Sequence, residues 1–554
     1  MDKRVLGGDL ISEWGKQHVV RLLLFCGLIL WKLAIQAQSL MLVPNPDNGY
    51  GNEVIKIGYD NKIFLQYINS NYAYQLAQYD GNNLTLIPNP DNYTLYYDAP
   101  STVYKNKLYI WYQNFSNNLS NQLGEYDGNK LRLVPNPDNG SVFGSQSTPP
   151  IVYKDKLYFW YQSGRGNYQL AQFDGNSLTL VPNPDDGSGY QGWPIEYNNK
   201  LYLKYIDGNN KIRLAQYDGI SITLVPNPEN GRGYMGSPVI YNNKLYILYK
   251  NSNNIYQLAQ YDGNSLTLIP NPDNSYYSFG SGDRYIPPIV YNNKLYLWYQ
   301  NSSENYQLAQ YDGSSLTLVP NPDNGYGYWG YPIEYNNKLY IWYLSRPWTY
   351  RMAQYDGTSL TLVPNPDNGL GFSSYKYLLN NKLYVGYSNS SGTIQLGEYD
   401  GNNLKLVPNP DNGLGFYGNP IVHNNKFYLD YQNSDGKHQL GQYDGNNLTL
   451  VPNPDTGYGY SGVPMLYNNK LYSNYGNSSK KNQLTVLIDK IFTIGNGNWS
   501  DASTWNVGRP PLLGEQTSIY HEIQVNGSFP VGKLTIDKDG KLIYGQSSQL
   551  TIKP

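Results

Sequence analysis

Hydrophobic positions recur along this chain in short alternating runs that a strand would use, never at the three-to-four-residue spacing of an amphipathic helix. The stretch Pro288–Pro320, PIVYNNKLYLWYQNSSENYQLAQYDGSSLTLVP, shows the pattern. It divides into four β-rich runs: a (Ile289–Tyr291), b (Leu295–Tyr299), c (Tyr306–Tyr311) and d (Leu316–Val319). Asn-Asn-Lys separates a from b, and Asp-Gly followed by small polar residues separates c from d; both suit the positive φ of tight hairpin turns. In b, Leu295, Leu297 and Tyr299 fall on one face and Tyr296 and Trp298 on the other. Both faces are apolar, so the four-stranded sheet must be covered on both sides, and no helical pattern is available to cover it.

The unit repeats. Pro-Asn-Pro followed by Asp or Glu begins at positions 44, 88, 135, 182, 226, 270, 320, 364, 408 and 452, at spacings of 44, 47, 47, 44, 44, 50, 44, 44 and 44. Stacked sheets of one kind that cover each other's faces make a β-propeller, so the predicted fold is all-β: ten four-stranded repeats over residues 39–489. The ends agree with a closed ring. Ser39–Val43 matches strand d with nothing before it. The tenth repeat runs through a, b and c (Gln483–Ile488) and stops without the Asp-Gly turn or strand d. An N-terminal strand that completes the last blade leaves no exposed edge. A single ten-bladed ring is the favoured reading; two five-bladed rings, split within the long stretch 275–284, are the alternative.

After Asp489 the repeat ends. Glu522–Val525, Lys533–Ile536 and Leu550–Ile552 read as short strands separated by turns, which predicts a small β-solenoid-like or sandwich-like segment over 490–554, a truncated start of something larger being one reading. At the other end, Lys3, Arg4, Lys16 and Arg21 precede the apolar run Leu22–Trp31 and then Ala34-Ile-Gln-Ala37, the layout of a signal peptide over 1–38 with cleavage near Ala37. The run is too short for a membrane span. The chain's one cysteine, Cys26, lies inside it, so the mature protein would have no disulfide.

Composition narrows the function. Among 554 residues there are 60 Tyr and 55 Gly, and the net charge is −2. Neither a basic stripe for nucleic acid nor a polybasic membrane patch is present. Of the four histidines, His18, His423, His438 and His521, no pair has metal-ligand spacing, and no nucleophile or phosphate-loop motif occurs. No catalytic residue, metal site or cofactor is therefore expected. The marker acids (Asp47, Asp91, Asp138, Asp185, Glu229, Asp273, Asp323, Asp367, Asp411 and Asp455) read as turn-forming residues, with calcium binding as the lesser alternative.

Binding has better support. The a–b and c–d turns are short and nearly constant within the chain, whereas the b–c and d–a connections vary, as between Ser163–Asn167 and Leu344–Tyr350. Recognition belongs on the variable face. The d–a connections also hold aromatics among glycines and amides: Tyr190, Trp193, Tyr234, Tyr328, Trp329, Tyr331, Tyr417 and Tyr460. Rings beside polar groups suit sugars, so these eight are the candidate ligand-binding residues, with packing between strands as the competing role. Strand tyrosines such as Tyr202, Tyr246 and Tyr296 read as core.

YQLAQYDGSSLTLVPNPDNG (Tyr306–Gly325) and PIEYNNKLYIWY (Pro332–Tyr343) resemble the propeller repeats of bacterial secreted and surface proteins, in which an Asp-Gly hairpin leads to a valine-proline strand end. GNWSDASTW (497–505) with GRPP (508–511) is similar to the start of G8-like and β-solenoid modules of adhesins. These likenesses imply an extracellular place and a binding role. The sequence reading is thus a secreted or cell-surface, non-enzymatic adhesion protein, multivalent for a glycan or for a surface protein. The alternatives are a structural scaffold for protein interaction and a polysaccharide-acting enzyme built on residues that break the repeat: Asp283, Arg284, Arg346 and Trp348.

Overall fold

The computed structural model describes residues 38–552 apart from 97–99, 115–119, 143–149, 274–287, 302, 304, 489–490, 508, 512–514, 516 and 532–533. The signal-peptide reading, with Ala37, Cys26 and His18, and the pair Asp283 and Arg284 lie outside the described residues. Among the described residues every element is a β-strand apart from one 3-10 turn at Ala502–Thr504. The protein is all-β. No helix among these residues is long and apolar enough to cross a membrane.

The chain forms two compact units. One comprises Val43–Leu450 with Asp455–Thr485; the described residues of the other are 38–42, 451–454 and 486–552.

In the first unit each repeat is the predicted meander. In the fourth, strand a (Gly189–Tyr197) pairs with b (Lys200–Ile206), b with c (Ile212–Tyr217) and c with d (Ile222–Leu224), all antiparallel. The turn chemistry is the predicted one. Asn198 and Asn199 both have positive φ (46° and 58°), which twists the a–b hairpin the way its strands twist. In the c–d turn Gly219 has φ +103°, while the Asp218 carboxylate accepts the N–H groups of Ile220 and Ser221 at 2.8 and 2.9 Å.

Consecutive repeats cover each other. Tyr153, Tyr158, Trp160 and Leu170 of the third pack with Leu201, Leu203, Tyr205 and Ala215 of the fourth in one core. The fifth and sixth share a core in the same way, through Tyr241, Tyr246 and Leu258 against Leu295, Leu297 and Tyr311. With both faces of each sheet buried, each large side chain withdrawn from water contributes roughly 1.5–3 kcal/mol.

The marker Pro-Asn-Pro-Asp builds the seam between repeats. Asn183 Nδ2 donates to the Tyr168 carbonyl at 3.2 Å, and Tyr168 N–H donates to the Ser188 carbonyl at 3.0 Å. Asp185 accepts the Gly187 N–H (2.8 Å) and the Tyr205 hydroxyl (2.6 Å) on one oxygen, and the Gly208 N–H (3.2 Å) on the other. Asp47, Asp367 and Asp411 repeat this arrangement with Tyr67, Tyr387 and Tyr431. The acids therefore hold turns, and each also clamps a tyrosine of strand b.

The first and last repeats are neighbours across the same seam. Val43 N–H donates to the Leu484 carbonyl at 2.8 Å, as Val225 N–H does to Leu214 inside the fourth repeat. Asn45 Nδ2 donates to the Asn482 carbonyl (3.1 Å), and Asn482 N–H to the Tyr50 carbonyl (2.8 Å). Gly51 (φ +98°) has no room for a side chain: a Cβ would lie 1.8 Å from the Asn482 oxygen, and one at Gly189 would lie 1.8 Å from that of Tyr168. Strand Gly51–Tyr59 touches Gly459–Tyr467, just as Gly189–Tyr197 touches Gly233–Tyr241.

In the second unit the pairing is parallel. Ile491–Phe492, Thr517–Ile519 and Leu534–Ile536 form one sheet, Gly497–Asn498, Glu522–Val525 and Lys541–Tyr544 a second, and Ser528–Val531 with Gln549–Ile552 a third. Parallel pairing of short strands from successive turns of the chain is the pairing that a β-solenoid uses. Trp499 and Trp505 meet edge to face at its centre with ring centroids 4.9 Å apart.

Candidate functional site

Strand a of most repeats begins with a glycine followed by an aromatic residue, and the pleat turns that aromatic toward strand b of the preceding repeat. Tyr190 stacks on Trp160 (5.5 Å between centroids) and Tyr328 on Trp298 (5.1 Å). Tyr190, Tyr234 and Tyr328 are buried. These three candidates are core residues, closed to a ligand because the neighbouring repeat covers them. Tyr331 lies on the bulge of strand Gly327–Tyr335 and is 57% exposed. Trp193 and Trp329 sit on bulged strands, and their side chains are outside the described set.

Of the remaining two candidates, Tyr460 borders a cavity between the ninth and tenth repeats, and Tyr417 lies against His438 of its lining. The cavity, of about 640 Å³, is lined by the b–c turn of the ninth repeat (Asp435–His438), the d–a connection Thr456–Ser461 and the b–c turn of the tenth (Gly476–Ser478, Lys480). Both kinds of variable connection thus meet at one site, as expected from their sequence variability.

Its floor is polar in an unusual way. The position that holds Trp160, Trp298 and Trp342 in other repeats is Asp430 in the ninth. His438 opens strand c, where tyrosine or isoleucine is usual, and its Nδ1 lies 2.8 Å from Asp430 Oδ1. Burial raises the Asp430 carboxyl above its ordinary range, and the hydrogen bond to His438 opposes the rise without cancelling it. Tyr417 lies 6.1 Å from the His438 ring. Tyr460 is 2% exposed, and its hydroxyl has no hydrogen-bond partner among the described residues although it borders the cavity. Burial pushes that hydroxyl's pKa up, so it stays a neutral donor. At the mouth Tyr458 is 65% exposed, and Lys437 Nζ donates to the Thr456 carbonyl at 2.8 Å.

Such a cavity can seat a ring on Tyr458 and offer its hydroxyls an imidazole and two lysines. Sequence reasoning reached Tyr417 and Tyr460 but passed over Asp430, His438 and Tyr458. The available signal was a double departure from the repeat: residues 430 and 438 lie diagonally across one hairpin, where aspartate and histidine replace the aromatic residues of other repeats. His423 hydrogen-bonds with Asn424 in the a–b turn, and His521 with Thr493 in the other unit. Among the described residues no group of three or more His, Cys, Asp or Glu is placed to hold a metal ion.

No protein-family model and no curated protein matches the sequence. Solved structures give only faint likenesses. A puromycin-hydrolyzing peptidase of Mycobacterium tuberculosis shares 9% identity over 63% of this chain and 60% of its own, with a TM-score of 0.31. The BP39L lectin of Burkholderia pseudomallei shares 10% over 54% of this chain and 96% of its own (TM-score 0.30). The β-propeller domain of the trilobed protease of Pyrococcus furiosus shares 11% over 58% and 97% (TM-score 0.28). The match to the peptidase thus takes in less than two thirds of that chain's length.

Proposed function

We propose that the ten repeats close into a single propeller and that the protein is a secreted or cell-surface, non-enzymatic binding protein that recognises glycan through the variable face of that ring. Closure is supported by the seam between tenth and first repeats, which uses the same hydrogen bonds as the interior seams. The shared core of the fifth and sixth repeats argues against a division into two five-bladed rings.

The observation that carries the binding role is the cavity between the ninth and tenth repeats. It combines an exposed ring at Tyr458 with the polar groups of His438, Lys437 and Lys480 around it, the pairing of stacking surface and fixed polar partners that a sugar needs. The test is a glycan array probed with the full chain, with and without calcium. Reproducible binding to one sugar class that is lost in Tyr458→Ala supports the reading. A blank array from folded protein would sink it.

A protein partner has one observation in its favour. The position of Tyr458, immediately before the glycine that opens strand a, is Leu370 in the eighth repeat and Leu414 in the ninth, 63% and 50% exposed. Exposed leucines in series suit a protein surface better than a sugar.

A further inference from the structure

The same edge of the seventh repeat sets two arginines beside an aromatic pair. Its b–c turn is Ser345-Arg346-Pro347-Trp348, and Trp348 is 62% exposed at a φ of +89°. Equivalent turn positions hold Asn210, Asn254, Gly392 and Gly436, which tolerate positive φ, and also Tyr72 and Lys480, which like Trp348 do not favour it; Tyr72 meets Tyr50 at 5.3 Å much as Trp348 meets Tyr326. Trp348 stacks on the half-buried Tyr326 with centroids 4.5 Å apart and 22° between planes. The Arg346 guanidinium carbon lies 4.8 Å from the same tyrosine ring.

A second arginine stands beside this platform. Strand c carries glutamine at its second position in most repeats, but Arg213 in the fourth and Arg351 in the seventh. In the fourth repeat the b–c turn supplies the counter-charge: Arg213 Nε meets Asp207 at 2.7 Å. In the seventh the matching turn residue is Ser345, and neither Arg351 nor Arg346 has a carboxylate within ion-pair distance among the described residues. Arg351 Nε is buried without a hydrogen-bond partner. Asp323, whose carboxyl feels the Arg351 charge, is already engaged by the hydroxyls of Tyr343 and Ser345 and by the Gly325 N–H.

We infer that Tyr326, Arg346, Trp348 and Arg351 form a binding site for an anionic saccharide unit, its ring on the Tyr326–Trp348 platform and its carboxylate or sulfate taking the place that Asp207 fills in the fourth repeat. This deepens the glycan reading and rests on it. The geometry suits the ligand because an arginine fork pairs with a planar or tetrahedral anion while the stacked rings accept the sugar's C–H face.

The test is calorimetric titration of the full chain with three probes: hexagalacturonate, its neutral methyl ester and a sulfated galactan oligosaccharide. Two variants restore residues that other repeats carry at the same positions, Trp348→Asn and Arg351→Gln, so both keep the local fold. The wild type is expected to bind one or both anions, which also tells carboxylate from sulfate. It should bind the ester at least about tenfold more weakly, and each variant should lose about tenfold or more. Equal affinity for acid and ester, or variants that bind as the wild type does, would overturn the inference and leave the array result standing. Failure of every saccharide in both titration and array would overturn the inference together with the glycan reading.

Discussion

Asn45 Nδ2 donates a hydrogen bond to the main-chain carbonyl of Asn482, 437 positions away, at 3.1 Å. Asn183 makes the same bond to Tyr168, Asn227 to Ile212 and Asn409 to Ile394, each only 15 positions away. The first marker of the chain therefore does for the tenth repeat what these markers do for their own.

This equivalence has a measurable consequence. Asn45→Ala and Asn227→Ala each remove one seam bond, so each should destabilise the protein by roughly 0.5–1.5 kcal/mol. In a chain whose ends did not meet, Asn45→Ala would be close to neutral. Chemical unfolding of the two variants side by side separates these outcomes.

The marker acids should make the fold acid-sensitive. Burial by itself would raise the Asp411 carboxyl, but the Tyr431 hydroxyl and the Ser434 and Gly413 N–H groups outweigh it and hold the pKa low. Asp47, Asp138 and Asp367 share the downward shift. A carboxyl depressed in the folded state contributes stability that is complete above the unfolded value, about 3.9, and is lost as pH falls through the folded value. Stability should therefore fall steeply below about pH 4. Tyr431→Phe, which removes a hydrogen bond to a charged group, should cost roughly 1.5–3 kcal/mol at pH 7 and less at pH 3.

Lys376 gives a dependence of opposite sign. It lies over the Trp342 ring at 5.1 Å, and burial draws its ammonium down to about 8. Between that value and the unfolded one near 10.4 the unfolded chain binds the extra proton, so stability rises with pH across the window. Lys376→Met should raise the melting temperature at pH 7 and flatten the profile between about pH 8 and pH 10. A profile unchanged in the variant would refute the assignment.

Tyr460 predicts a gain in stability. A buried hydroxyl without a partner carries a desolvation penalty of about 1–3 kcal/mol. Tyr460→Phe should therefore melt at a higher temperature in a thermal unfolding scan. Lower stability in the variant would mean that a water or another group already satisfies the hydroxyl.

Much of this was legible in the sequence because it is decided locally. Asn-Asn-Lys and Asp-Gly set positive φ at fixed places, the two-residue alternation sets the strands, and the ten markers set their number. The missing fourth strand of the last repeat even pointed to the contact that Asn45 makes. The candidate site was legible only in part. Tyr190, Tyr328 and Tyr460 occupy equivalent positions, one after the opening glycine; all three are buried, and Tyr460 borders the cavity between the ninth and tenth repeats. What differs is the partner on strand b of the preceding repeat: Trp160 and Trp298 fill the space beside Tyr190 and Tyr328, whereas Asp430 stands there before Tyr460 and turns to His438.

By itself, then, the sequence determined the repeat, its turns and its strand class, because turn φ values and side-chain alternation are properties of a few consecutive residues. Only the tertiary structure decided which aromatics are exposed and, among the described residues, which charges lack an ion-pair partner. Those depend on volumes and counter-charges brought together from different strands and from the neighbouring repeat.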